Sequence, residues 1–214
     1  MKDTFKNEEG LAVVQKIIQT IQANREYLSE VDSVGGDGDH GINMNKGFTM
    51  AEKEITQQES PTMSEGFKVI SNVLVNKIGG SMGPLYGSFF RGLSAASRKE
   101  EVITKEVAGA MLEKAYQNIS MLTEAKVGDK TLMDVLTPAV EVYQAQLQTG
   151  SFTECLQAML QAAEAGLEST KQLAAKVGRA SRIGDRSIGQ QDAGATSCYL
   201  ILKAFAEGIQ ELLG

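Results

Sequence analysis

The stretch Val31–Asn43, VDSVGGDGDHGIN, sets Asp32, Asp37 and Asp39 beside His40, the only histidine in the chain. Three carboxylates in a glycine-rich loop are hard oxygen donors, which suit Mg²⁺ or Ca²⁺ rather than zinc. An EF-hand loop begun at Asp37 would need its closing bidentate Glu at position 48, where the chain has Phe48, so that site is excluded. Mg²⁺ ordinarily binds through a few carboxylates together with substrate phosphates. The chemistry expected is therefore a nucleotide held with Mg²⁺, its phosphates on glycine N–H groups and helix N-termini. The competing reading is a solvated Asp-Gly turn.

Three other glycine-bearing loops carry polar residues. GGSMGP, Gly79–Pro84, has no Walker lysine, which excludes a P-loop NTPase. Gly79 and Gly80 serve either as a helix C-cap or as a close approach to phosphate or adenine, with Ser81 as a donor. In VGDKT, Val127–Thr131, Asp129 stands before a helix as a cap would. The stretch 178–194 holds Arg179, Arg182, Asp185, Arg186 and Asp192. Its arginines either offset charge in phosphoryl transfer or pair on the surface. His40 is either structural or part of the site, and no ordered Ser-His-Asp set accompanies it.

These loops need elements to hold them. Three prolines, 6% aromatics and few β-branched clusters argue against a sheet, and apolar residues recur at helical spacing almost throughout. Helices are predicted at about Glu8–Glu30 and Gly41–Ile55. A third starts at Ser60-Pro61, read as N-cap and first-turn proline, and ends by Ile78. Others follow around Leu85–Leu93, Thr104–Leu122, Lys130–Gln148, Ser151–Ala175 and Ala193–Leu213. The fold class is all-α: eight antiparallel amphipathic helices in an up-and-down closed barrel, one domain over residues 1–214. In such a barrel every second link lies at the same end. The links after helices one, three, five and seven are the four glycine-bearing loops, so the alternation gathers them into one site.

With a net charge of −6, the chain is not expected to bind nucleic acid, which needs clustered Lys and Arg. MKDTFKNEEG has no apolar leader core, and no apolar run is long enough to span a membrane. Cys155 and Cys198 form no CxxC pair, which fits buried thiols in a reducing cytoplasm.

Five motifs resemble one family. DxxxxDxDHGxNM at Asp32–Met44, GGxxGPLYG at Gly79–Gly87, GDKT at Gly128–Thr131, GRAS at Gly178–Ser181 and RSIGxQDxGATS at Arg186–Ser197 are similar to those of the DhaL family. These are the ADP-binding L subunits of dihydroxyacetone kinases that work with the bacterial phosphotransferase system. The resemblance implies an eight-helix barrel with ADP or ATP at one end and two Mg²⁺ ions on Asp32, Asp37 and Asp39. It places His40, Gly41, Ile42 and Asn43 along the phosphates. Gly80, Ser81 and Met82 from the glycine turn, Thr123 upstream of GDKT, Leu132 after it, and Asp192 and Gly194 line the rest. Arg179 is the implied catalytic residue, reaching the phosphates during transfer. Where the family usually has Ala-Ser in the glycine turn, this chain has Ser81-Met82, and Ala193 stands for the family's proline.

The implied activity is that of a phosphotransferase subunit. ADP stays bound as a coenzyme and is rephosphorylated in place by a phosphocarrier subunit (DhaM-like). The γ-phosphoryl group then passes to dihydroxyacetone on a second kinase subunit (DhaK-like). The alternatives are a kinase subunit for another small ketose such as erythrulose, and an ADP–Mg²⁺ sensor acting on a transcription regulator.

Overall fold

The computed structural model describes residues 2–214. Among the described residues nine α-helices follow one another: α1 (Leu11–Ala23), α2 (Arg25–Ser33), α3 (His40–Ile55), α4 (Met63–Lys77), α5 (Met82–Ser97), α6 (Lys105–Ser120), α7 (Met133–Gln146), α8 (Phe152–Ser169) and α9 (Ala193–Leu213). Two short 3-10 stretches, Thr170–Gln172 and Arg179–Ser187, lie between α8 and α9. Each helix packs beside the next around a ring that α9 closes against α1. Their apolar stripes meet in one core containing Phe48, Phe67, Phe90 and Phe205. None of the helices in the described residues is long and apolar enough to cross a membrane.

The expected first helix is two. Asn24 interrupts it at φ −101° and ψ 14°, and its side-chain amide donates to the Thr20 carbonyl at 2.8 Å. An Asn side chain that competes for a helix carbonyl favours a break over continuation. Because α2 follows directly, the pair still fills one place in the barrel. The third helix is capped two residues later than expected. Thr62 accepts from the Glu65 N–H while the Glu65 carboxylate accepts from the Thr62 N–H, a capping box. Ser60 instead has φ 50° and belongs to the turn.

The seventh helix of the sequence reading stops at Ser169, not Ala175, and the sixth begins at Met133, not Lys130. Lys130 has φ 62°, a left-handed conformation in which no helix begins. Within α7, Pro138 cannot donate to the Asp134 carbonyl four residues back. Gly166 of α8 packs onto that carbonyl, where a Cβ would collide with it, and this brings α7 and α8 close.

Two features were not foreseen. β1 (Phe5–Lys6) pairs antiparallel with β2 (Val102–Ile103), between α5 and α6. Nearby, the Lys2 N–H donates to the Leu213 carbonyl at 2.8 Å, so both ends of the described residues meet. All this lies at the end of the barrel away from the links α2–α3, α4–α5, α6–α7 and α8–α9.

Candidate functional site

Alternation sets the N-termini of α3, α5, α7 and α9 at the same end as those four links. Each N-terminus carries free N–H groups and a partial positive charge, so the four together favour an anion. Between them lies a cavity of about 690 Å³ walled by residues from all four links. Its lining includes the apolar side chains of Met82, Leu85, Leu132, Met133 and Val177. It also includes the polar Asp32, Asp39, His40 and Arg179. An apolar lining with a few polar groups suits a small ligand with an apolar part and a charged part.

The carboxylates come from one turn of chain. Asp32 closes α2, and its carbonyl accepts from the Gly36 N–H at 2.7 Å. Its carboxylate accepts from the His40 N–H at 3.3 Å. Gly38, at φ 74°, then turns the chain so that Asp39 stands at the N-cap of α3. One oxygen from each of Asp32, Asp37 and Asp39 lies within 4.8 Å of the others. Burial works upward on the Asp37 carboxyl, but a hydrogen bond from Asp39 and the Arg179 guanidinium outweigh it, and Asp37 sits below its ordinary value. Burial and the Asp37 charge hold Asp39 above its own. Carboxylates this close repel one another, and a hard divalent cation would relieve that repulsion. The donor set therefore fits Mg²⁺.

Arg179 follows Gly178, whose φ is 72°. Its guanidinium pairs with Asp37 and lies 3.6 Å from Asp39. All three side chains are about half exposed, so the pair contributes little to stability. Its significance is placement: it carries the last link across the cavity mouth to the carboxylates.

His40 Nε2 lies 2.9 Å from Ser197 Oγ, which lies 2.6 Å from the Tyr86 hydroxyl. The Tyr86 hydroxyl also donates to the Gly194 carbonyl at 3.0 Å. Burial pushes the imidazole pKa down against the pull of Asp32, so the ring is held neutral. Sequence reasoning quoted GPLYG and GATS but did not single out Tyr86 or Ser197. The hydroxyls in those two motifs were the available signal.

The other expected residues divide. Asn43, Gly80, Ser81, Met82, Thr123, Leu132, Asp192 and Gly194 all line the cavity. Ser81 stands at the N-cap of α5, yet its side chain caps nothing. Gly41 and Ile42 do not line it: Gly41 packs against the Arg25 carbonyl of α2, and Ile42 is exposed. Four consecutive helical residues point in four directions, so only His40 and Asn43, three apart, share the cavity face. Asp37 is also outside the walls and reaches the site through its carboxylate neighbours.

Asp192 caps α9, accepting from the Ala195 N–H at 2.8 Å. Burial raises its pKa to about 6 from 3.8. The native state then holds a proton there that the unfolded chain releases, so the contribution of Asp192 to stability falls as pH rises from about 4 to about 6 and is level above. Asn caps as well as Asp. Asp192→Asn should therefore remove that decline and make the nucleotide-free protein more stable at pH 7 by about 1–2 kcal/mol. Urea midpoints measured across pH 4–7 check this. A midpoint difference between variant and wild type that stays constant across the window would contradict it.

Residues 34–207 match the DAK2 domain. The chain is 37% identical over 202 residues to the ADP-binding subunit DhaL of PEP-dependent dihydroxyacetone kinase 2 of Listeria innocua, covering 93% of each chain. It is 35% identical over 187 residues to the ADP-binding subunit DhaL of the PEP-dependent dihydroxyacetone kinase of Escherichia coli, covering 87% of this chain and 89% of that one. L-erythrulose kinase of Pectobacterium atrosepticum is 30% identical over 187 residues, 86% of this chain but 32% of that one. Among solved structures, the dihydroxyacetone kinase of C. freundii in complex with AMP-PNP and Mg²⁺ superposes with a TM-score of 0.68. The match covers 97% of this chain and 35% of that one at 24% identity, and it shows a shared fold. The helical ring, the four converging links and these matches place the chain in the DAK2 domain family.

Proposed function

We propose that this chain is the ADP-binding subunit of a dihydroxyacetone kinase and transfers the γ-phosphoryl group of a bound nucleotide. The observation that supports it most is the apposition of the Asp32–Asp37–Asp39 cluster and Arg179 beside an apolar slot, with four helix N-termini directed at the gap. The apolar wall takes the base. The phosphates lie on the N-terminus of α3, along His40 to Asn43, and near Ser81. Asp32, Asp37 and Asp39 would hold two Mg²⁺ ions, which would supply positive charge to offset that of the phosphates. Arg179 donates to the transferring group as charge develops on it. Neutral His40, fixed by Ser197, offers a directed ring nitrogen without adding a cation.

A dihydroxyacetone-binding subunit and a phosphocarrier subunit are the partners, the second restoring ATP in place. The free, buried cysteines suit work in a reducing cytoplasm. Dihydroxyacetone is favoured over erythrulose as the acceptor. The DhaL relatives match this chain along nearly their whole length, whereas it spans about a third of the erythrulose kinases. No finding favours the transcription-regulator partner.

The test is to purify the protein in Mg²⁺, denature it and chromatograph the supernatant. Near-stoichiometric ADP is expected. No ADP, and no binding when ADP and Mg²⁺ are titrated back, would overturn the proposal.

A further inference from the structure

Lys130 is almost wholly buried, unlike an ordinary surface lysine. Its backbone is left-handed, which a non-glycine residue adopts at a cost. Its ammonium donates to three carbonyls: Leu173 at 3.1 Å, Ser187 at 2.5 Å and Gln190 at 2.8 Å. An ammonium has three N–H donors and no acceptor, so donors and acceptors match one to one. A neutral amine would leave one carbonyl facing a lone pair. Burial works against the charged form, and the nearby Asp192 and Asp134 carboxylates favour it.

The three carbonyls belong to the two flanks of one long link. Leu173 lies on the outgoing side, Ser187 and Gln190 on the returning side, and Arg179 lies between them. Few other hydrogen bonds tie these flanks together. The Ala175 N–H donates to Ser187 Oγ, the Gly189 N–H to the Lys171 carbonyl and the Asp192 N–H to Thr170 Oγ1. The exposed Lys176 adds a second tie to the α6–α7 link through Asp129. The lysine itself is fixed from below. Asp134 of α7 is buried and accepts from the Gly128 and Thr131 N–H groups at 2.6 and 2.7 Å, which clamps the backbone on both sides of Lys130. The α6–α7 link thus carries a rigid cation around which the α8–α9 link is folded.

We infer that Lys130 is a positioning residue: it closes the 173–190 link and thereby sets where Arg179 stands over the carboxylates. This rests on the reading of Arg179 as the residue that serves the phosphates. Lys130 also lines the cavity, but its three ammonium donors are all taken by carbonyls of the link, so it acts through the link.

Hydrogen exchange and kinetics on Lys130→Met, which keeps the length and loses the donors, test it. In the nucleotide-free protein the amides of Ala175, Lys176, Ile188 and Gly189 should exchange about tenfold faster or more, while those of α4 and α5 keep their rates. With partner subunits and dihydroxyacetone supplied, kcat should fall about tenfold or more, with a smaller change in ADP affinity. In an Arg179→Ala background the same substitution should cost no further kcat, because both act through one group. Should Lys130→Met not fold, Lys130→Gln, which retains two donors, is the substitute.

Unchanged exchange, or acceleration spread evenly over the helices, would overturn the tie. Losses that multiply in the double variant would overturn the route through Arg179. An Arg179→Ala protein with full kcat would overturn the reading of Arg179 and that route with it, while the exchange pattern still decides the tie separately.

Discussion

An Asp37→Ala protein should fold, melt close to the wild type and transfer almost no phosphate. Asp37 is half exposed and is joined to the rest of the chain by Arg179 and Asp39, both also near the surface. Removing such a group touches none of the core and leaves no buried atom without a partner. Its loss from a three-carboxylate cluster is a different matter. A cation site built from so few protein donors has none to spare, since the remaining positions go to water and phosphate. Turnover should fall by on the order of 10³-fold or more, because transfer depends on neutralising the phosphate oxygens. Steady-state kinetics with saturating partner subunits, beside a circular-dichroism melt, read both halves. A variant retaining wild-type turnover would remove Asp37 from the metal site. Asp37→Asn keeps the shape and loses the charge, and should be nearly as damaged.

Arg179→Ala should lower kcat by about 10³-fold, the scale of an arginine that stabilises charge in phosphoryl transfer. ADP affinity should change far less, since on the proposed reading the apolar residues and the α3 N-terminus hold the nucleotide elsewhere. Arg179→Lys should recover little, because a point charge lacks the planar fork that meets two oxygens at once. Single-turnover transfer from bound ATP isolates the chemical step. An equal loss in affinity and no change in kcat would show that Arg179 only holds the nucleotide. The position of the guanidinium against Asp37 makes a further outcome readable. Without Arg179, Asp37 loses its cationic neighbour, and the metal cluster should become more sensitive to acid.

The period of the apolar residues was enough for the barrel, since each helix buries one stripe and the links are short. Its parity placed the four glycine-bearing links together, and they do wall one cavity. What escaped was set by contacts that periodicity does not encode. The break at Asn24 comes from a side chain competing for a carbonyl, within an otherwise unbroken apolar pattern. β1 and β2 are two residues each and lie almost 100 positions apart, too short for a pattern. In the site, the carboxylates and the arginine were visible because their chemistry is local to one motif. The Ser197 contacts to His40 and Tyr86 join residues 157 and 111 positions apart. Lys130 was hardest to see: its partners are backbone carbonyls, which every residue possesses. Ile42 shows the reverse limit, a motif position whose side chain the helix turns outward.

The bond between Lys2 and Leu213 puts the two ends of the described residues side by side at the face remote from the cavity. A linker of a few residues would join them, and new ends could then be opened elsewhere without redrawing the barrel. For the same reason a tether attached at either terminus holds the molecule with its mouth directed outward. Anchored to a bead or a sensor chip in that way, the protein would present its cavity to the solution unobstructed.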